Sequence, residues 1–399
     1  LREILFLIAA MFVLVRVTHV IFALVYLKTK KNDKSSTMSL RDPLPRVNIV
    51  VPCLNEEKVV AACLQSLLAI DYANFFVTVI DDGSTDQTYA IARKFADQDS
   101  RVHILQQPKE GKYAALNAGI CHAASGFVFC MDADSIVEKD VLKKAVSFIQ
   151  ANPQYHAIAA DVLVTNHRNI LTEFQFIEYL VRSNWMRYAQ SLFSFVTTIP
   201  GPGAFYNTQK LIDVGLFNGL TCIEDSEMTV RFVEMKLPIV VCPGLRVSTE
   251  VPQTISELIK QRYRWDRGSL QILRTHFKEM NFSNSKIWMY FAHTVVSRVL
   301  CFAAFLFIFS YPLLTGDFEG FFLCHLVIGL SYLPAATFQL AKEKSLAVLP
   351  LALVSQVFFD TLLLPIYFLA FLDEALRSKN EAWIKLARYG RHRVEESTR

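Results

Sequence analysis

The sequence predicts an α/β domain, a mostly parallel sheet with flanking helices, inserted between transmembrane helices. Three observations carry that expectation. Of the 399 residues, 52% are hydrophobic and 31 are Phe, more apolar material than one soluble core requires. The surplus lies at the two ends, from Ile4 to Leu27 and again from Ile287 onward. The stretch between them alternates short apolar runs with helical patterns, and several of those runs end on acids.

Ile4 to Leu27 is long enough to cross the roughly 30 Å hydrocarbon layer as a helix, and lacks the short apolar region and small-residue cleavage site of a signal peptide. Arg16 and His19 interrupt it. Charged groups at that depth face protein or snorkel, so these positions read first as polar residues on a packed helix. The lysines from Lys28 to Lys34 direct this end, and the domain that follows, to the cytoplasm. Residues 28–46, with Ser35, Ser36, Pro43 and Pro45, read as a linker. The predicted organisation is therefore a transmembrane helix over 1–27, the linker, a cytoplasmic domain over 47–285, transmembrane helices over 286–376 and a basic tail over 377–399.

Within the domain, Val47–Val51 reads as a buried strand, Glu56–Ile70 as a helix, and Phe76–Ile80 as a strand ending at Asp81-Asp82-Gly83. Helix Thr85–Phe95, strand Val102–Leu105, helix Lys112–Ala124 and strand Phe127–Met131 follow, the last delivering Asp132 and Asp134. In a parallel sheet, functional groups belong at the carboxyl ends of such strands. Ala157–Val164 reads as a strand. Leu171–Phe195 suits either a helix at the membrane interface or an ordinary packed amphipathic helix. Ile199–Tyr206 is a Gly/Pro loop, with a helix from about Thr208, another from about Glu227, and a third over Thr254–Trp265. Ile287–Leu314 and Phe321–Leu340 are each long enough to span. Ala347–Leu372 contains Pro350, Asp360 and Pro365; one simple crossing places the basic tail outside, against the positive-inside trend, so either the tail is outside or, the preferred reading, this run is a re-entrant or broken hairpin.

The eight Cys show no CxxC pair or metal spacing and read as reduced and mostly buried. A net charge of +4 suits contact with membrane lipids, and no aromatic-interleaved basic stripe points to nucleic acid. Asp132 and Asp134 at a strand end can turn toward one hard cation, Mg²⁺ or Mn²⁺, which takes oxygen ligands and neutralises a diphosphate; Lys112 supplies further positive charge. Asp82 can accept from a nucleobase or ribose. Any one of these acids can also cap a helix. Asp225, beside Glu224, is placed to take a proton from an attacking hydroxyl, or to cap the helix that follows. Gln261 and Arg264 share a helix face, and Trp265 offers a flat apolar surface for a sugar ring; an interfacial helix has the same composition.

These residues together resemble the membrane-integrated processive glycosyltransferases of family 2, the group of cellulose, hyaluronan, chitin and poly-N-acetylglucosamine synthases. The resemblance covers Val47 to about Leu270 and rests on ordered motifs: Pro52-Cys-Leu-Asn-Glu56, Asp81-Asp-Gly-Ser-Thr-Asp86, Asp132-Ala-Asp134, Glu224-Asp225 and Gln261-Arg-Tyr-Arg-Trp265. It implies a fold of the GT-A type. It implies a donor site of Pro52, Asn55, Glu56, Asp82, Lys112, Asp132, Asp134 and Arg264, with the metal on Asp132 and Asp134. The acceptor would meet Gly201, Pro202, Gly203, Glu224, Gln261 and Trp265, and Asp225 would be the base. The implied reaction is an inverting transfer from a UDP-sugar, best matched by UDP-N-acetylglucosamine, to a growing β-linked polysaccharide that leaves through the apolar helices. On that reading Arg16 and His19 have a second possible role, in glycan passage. A homo-oligomer or a small accessory membrane protein would be a further partner. Two readings compete: single-sugar transfer to a lipid-linked acceptor, and a non-catalytic export or glycan-binding subunit.

Overall fold

The computed structural model describes residues 1–32, 40–278, 280–376 and 388. Apart from Arg388, the basic tail over 377–399 lies outside the described residues, as does 33–39 of the linker. In chain order the elements are α1 (Arg2–Asn32), β1 (Val47–Cys53), α2 (Val60–Leu68), β2 (Phe75–Asp81), α3 (Thr88–Gln98), β3 (Val102–Gln106), α4 (Lys112–His122), β4 (Phe127–Cys130), β5 (Ser135–Val137), α5 (Val141–Ala151) and β6 (Ala157–Val164). Then come α6 (Ile170–Ile177), a π-helical turn (Glu178–Ser183), α7 (Asn184–Ser191), β7 (Ala204–Asn207), α8 (Thr208–Asp213), α9 (Glu224–Glu234), β8 (Ile239–Thr249) and α10 (Ile255–His276). The last part holds α11 (Ser285–Phe291), a second π turn (Ala292–Val296), α12 (Ser297–Thr315), α13 (Phe318–Leu330), α14 (Leu333–Lys342), a 3₁₀ turn (Leu346–Val348) and α15 (Leu349–Ala375).

The chain divides into two compact units, one of Leu1–Tyr26, Arg168–Phe193 and Gln253–Ile384, the other of Leu27–His167, Ser194–Pro252 and Lys385–Arg399. The second unit holds an eight-stranded sheet in the order β3-β2-β1-β4-β7-β6-β8-β5. The β1-β2, β2-β3, β1-β4 and β6-β8 pairs are parallel, while β4-β7, β6-β7 and β5-β8 are antiparallel. The first half is therefore the predicted strand-helix alternation, and the antiparallel strands enter afterwards. β1 is buried on both faces, as a strand covered by helices must be. Its polar residue Asn48 is satisfied inside: its amide donates to the Gly119 carbonyl at 2.9 Å and its oxygen accepts from the Thr78 hydroxyl at 2.9 Å. Gly119 has a packing reason, since a Cβ there would lie 2.5 Å from side-chain atoms of both Ile80 and Val50. That close seat of α4 on the sheet brings Lys112, its first residue, to the carboxyl edge.

Several boundaries differ from the sequence reading: α1 runs to Asn32, into the predicted linker, and α2 and α3 start at Val60 and Thr88 rather than at Glu56 and Thr85. β7 begins inside the predicted Gly/Pro loop, because Ala204–Asn207 finds strand partners on both sides. α9 starts at Glu224 rather than near Glu227, so Glu224, Asp225 and Glu227 all sit in its first turn, where the helix dipole favours negative charge. α10 continues past Trp265 to His276, its buried face extended by Leu270, Ile272 and Leu273.

Among the described residues, four helical stretches are long and apolar enough to cross a membrane: Arg2–Lys30, Ser285–Thr315, Phe318–Lys342 and Leu346–Ala375. Leu5 and Ala9 of α1 pack with Ile308, Tyr311, Cys324 and Ile328. Arg16 is occupied by protein: its guanidinium donates to the Ile328 carbonyl and to the Ser331 hydroxyl, beside the break between α13 and α14. Leu171, Phe174, Phe176, Ile177, Leu180, Val181, Trp185 and Tyr188 are buried, so the segment predicted as interfacial or packed is the packed kind. The predicted hairpin is corrected: α15 is one continuous helix of 27 residues. Pro350 falls in its first turn, where no intrahelical N–H is needed, and Pro365 is carried within it.

Candidate active site

The site is assembled in the sheet-bearing unit at the carboxyl ends of β1, β2 and β4. Cys53 of β1 pairs with Asp81 of β2, which in turn pairs with Gln106 of β3, so the loops that follow emerge side by side. They are stitched together. Asn55, in the left-handed region at φ 53°, donates its backbone N–H to the Ser84 hydroxyl at 2.9 Å and accepts from the Thr85 N–H at 2.7 Å. The Glu56 N–H donates to the Thr88 hydroxyl at 2.6 Å. Pro52, inside β1, leads into this loop.

Asp82 is buried and already engaged. Its carboxylate accepts from the Gln107 amide at 2.8 Å and from the Glu110 and Gly111 N–H groups, both at 2.9 Å. A carboxylate offers about four lone-pair sites, so one remains for a ligand while the other three shape the loop that delivers Lys112. Its neighbour Asp81, which sequence reasoning did not select, accepts from Gln106 at 3.3 Å through one oxygen. The other oxygen is buried with no hydrogen-bond partner among the described residues. A nucleobase N–H is the kind of donor such an atom lacks.

Lys112 is the hub. Its ammonium lies 2.7 Å from Asp132 and 2.9 Å from Glu224. Burial works to lower its pKa, but the carboxylates of Asp132, Glu224 and Asp225 outweigh burial and hold it above the ordinary lysine value. Gly201 passes close over this group: a Cβ there would lie 3.0 Å from the Lys112 ammonium and 3.5 Å from both Asp132 carboxylate oxygens. The Gly201 N–H donates to Asp225 at 3.0 Å, and the Ser226 N–H donates to the other Asp225 oxygen at 2.7 Å. Burial and the adjacent Glu224 push the Asp225 carboxyl up to about 6, with Lys112 and the two N–H groups opposing. Pro202 and Gly203 complete the loop, and Gly203, at φ +87°, sits where a Cβ would meet Ala160 at 2.5 Å and Val247 at 2.7 Å. A narrow cleft among these groups is lined by Lys112, Asp132, Gly201, Glu224, Asp225 and, beneath them, Tyr206. The Tyr206 hydroxyl, at the end of the predicted Ile199–Tyr206 loop, is buried without a hydrogen-bond partner among the described residues.

Asp134 accepts from the Ser135 and Thr249 hydroxyls at 3.1 and 3.2 Å, and the guanidinium of Arg388 lies 2.8 Å from it and 3.3 Å from Glu56. Among the described residues no group of three or more His, Cys, Asp and Glu side chains gathers as a metal site. Asp132 and Asp134 still fit Mg²⁺ or Mn²⁺: they are hard oxygen donors, and such ions are commonly held by one or two carboxylates completed by substrate phosphates and water. Arg388 marks the Asp134 side of the pair as a place that accepts positive charge.

Gln261, Arg264 and Trp265 lie on α10, in the helical unit. Gln261 is buried, and its side-chain oxygen has no hydrogen-bond partner among the described residues. α10 is tied to α15, with the Tyr263 hydroxyl donating to Asp373 at 2.5 Å and Arg267 3.3 Å from Glu374. Thr254 caps its start, accepting from the Glu257 N–H at 3.3 Å.

Comparison with known proteins accords with this geometry. The family described as "Glycosyltransferase like family 2" matches residues 45–268, more than half of the chain. A poly-beta-1,6-N-acetyl-D-glucosamine synthase of Staphylococcus aureus is 28% identical over 262 residues, 64% of this chain and 62% of that protein. The chain thus spans less than two thirds of that relative's length. The same-named synthase of Staphylococcus epidermidis is 28% identical over 309 residues, covering 74% of this chain and 75% of its own. Among solved structures, a mannosyltransferase from Pyrobaculum calidifontis in complex with GDP-Man and Mn²⁺ superposes with a TM-score of 0.59 at 19% identity, covering 95% of this chain and 100% of that one. At that identity the likeness is one of fold, the GT-A fold of this enzyme class. With its acid-tipped sheet, its Lys112 hub and its match over residues 45–268, the chain belongs to the family 2 glycosyltransferases.

Proposed function

We propose that the protein transfers a sugar, with inversion, from a UDP-sugar to the growing end of a β-linked polysaccharide, and that its apolar helices pass the product across the membrane. The observation that carries this reading is the Asp225 carboxylate, buried and fixed by two backbone N–H groups, beside a cationic hub joined to the first acid of the Asp132-Ala-Asp134 pair. UDP-N-acetylglucosamine is the donor best supported, because the relatives named above are N-acetylglucosamine polymer synthases. The lysines following α1 support a cytoplasmic catalytic domain.

In this mechanism the donor diphosphate lies against Lys112, Asp132 and Asp134, with Asp82 and the Pro52–Glu56 loop toward the uridine. A divalent cation on Asp132 and Asp134 would neutralise charge on the departing diphosphate. Lys112, held protonated by its carboxylate neighbours, stabilises the same charge. The acceptor hydroxyl attacks the anomeric carbon, its proton passes to Asp225, and the bond from that carbon to the diphosphate oxygen breaks with its electron pair leaving on UDP. A base with a pKa near 6 is largely ionised at neutral pH and still able to take the proton. Gly201, Pro202, Gly203 and Glu224 position the acceptor end; the family's α10 motif is the ground for assigning Gln261 and Trp265 to the acceptor sugar and Arg264 to the diphosphate.

Incubation of the purified protein with radiolabelled UDP-N-acetylglucosamine and sizing of the product tests the proposal. A ladder of polymer that a β-1,6-specific glycosaminidase degrades is expected; products carrying a single added sugar would replace polymer synthesis with transfer to a lipid-linked acceptor.

A further inference from the structure

Between Gln261 and Arg264 in the α10 motif stands Arg262, which the mechanism above does not use. It is buried, and its two terminal nitrogens donate to the two carboxylate oxygens of Glu178 at 3.1 and 2.7 Å, a fork that fixes the guanidinium plane. Glu178 is itself buried and is the first residue of the π-helical turn in the α6–α7 helix. Such turns are rare and place a side chain where a regular helix would not. One helical step from Arg262, Trp265 presents its ring at 4.4 Å from the guanidinium carbon, and Phe359 of α15 flanks the same group at 5.8 Å. Trp265 is only half-buried, so one part of the indole is packed on Arg262 and another is open.

We propose that Glu178 and Arg262 are positioning residues: the Glu178 fork holds Arg262 flat against Trp265 and thereby sets the indole plane on which the acceptor sugar stacks. The inference rests on the acceptor role given to Trp265 above and adds two residues to it. A lone Trp on a helix surface would sample several rotamers, and each of them would present a different face. Stacked on a guanidinium that is locked by two hydrogen bonds, it keeps one. The arrangement also gives a chemical reason for arginine at this position: lysine can pair with Glu178 but has no planar face for the indole.

The test compares Arg262→Lys and Glu178→Gln with the wild-type full chain in detergent, using UDP-N-acetylglucosamine and a short β-linked glucosamine oligosaccharide as acceptor. Arg262→Lys is expected to raise the acceptor KM about tenfold, the scale of a lost cation–π contact, while the donor KM stays unchanged. Glu178→Gln should do the same to a smaller degree. In a Trp265→Leu background, Arg262→Lys should add nothing. An unchanged acceptor KM, or an equal effect with and without Trp265, would overturn the proposal. A second readout is independent of turnover: acrylamide quenching of Trp265 fluorescence in a chain whose other three tryptophans, Trp185, Trp288 and Trp383, are replaced by Phe. Quenching should rise in Arg262→Lys, and unchanged quenching would defeat the positioning role whatever the activity. A wild-type protein silent with every donor would instead refute the proposed function, with the quenching result still deciding the orientation of Trp265.

Discussion

Asp225 carries opposing demands. Burial and Glu224 raise its pKa from 3.8 to about 6, so the folded protein binds its proton more tightly than the unfolded chain does. The sign follows: ionising this group costs stability, and the cost grows as pH rises from about 4 through about 6. Asp225→Asn removes the charge but can still accept from the Gly201 N–H. It should raise stability at pH 7 by up to about 2 kcal/mol, measured by thermal melting, while abolishing sugar transfer and sparing UDP binding. Full turnover in this variant would reject the base assignment. The wild-type rate should rise with pH with an apparent pKa near 6; a flat profile between pH 5 and 8 would contradict the environment described for Asp225. Most of these groups are legible in the sequence, because Asp132, Asp134 and Asp82 each follow an apolar run that can only be a strand. Asp81 ends one of those runs, but nothing in the sequence singles out its role or that of Tyr206. What marks them is a buried oxygen without a partner, and that depends on side chains far away in the chain.

At the scale of elements, the loop before β7 does the most with the fewest residues. Gly201 lends its N–H to Asp225, and two residues later Gly203 takes a positive φ with no room for a Cβ between Ala160 and Val247. Gly203→Ala should therefore lower stability by about 2–4 kcal/mol, combining left-handed strain with overpacking, and show as a drop in melting temperature; an unaltered melting temperature would mean that the loop is not held as described. The early strands were readable because they are continuous apolar runs, as strands covered on both faces must be. β7 and β8 were not. β7 has four residues inside a Gly/Pro stretch, and β8 carries Pro243 and Gly244 in its middle. Gly244, at φ +81°, donates its N–H to Asp161 at 2.9 Å beside the irregularity in the β6-β8 pairing, a local remedy that sequence patterning cannot show. The pairing of Arg262 with Glu178 was hidden for a similar reason, the partners being 84 positions apart.

At the scale of the whole molecule, hydropathy announced the apolar helices, but counting them leaves the basic carboxyl-terminal tail outside, against the positive-inside trend. Arg388 bears on this. It sits on Glu56 and Asp134 of the sheet-bearing unit, and is therefore expected on the same side of the membrane as those two groups. Within the Phe318–Lys342 stretch the helix is broken between α13 and α14. Accessibility labelling of single cysteines placed near Asp86 and at the carboxyl terminus should report the same side; opposite sides would contradict the contact made by Arg388. The measurement that tests the central claim most directly is UDP release by the purified protein, with Mg²⁺ or Mn²⁺, across a panel of UDP-sugars, run beside Asp225→Asn. Release with UDP-N-acetylglucosamine above all other donors, accompanied by polymer and lost in the variant, is the predicted result. Equal release by the variant, or none from any UDP-sugar, would contradict it.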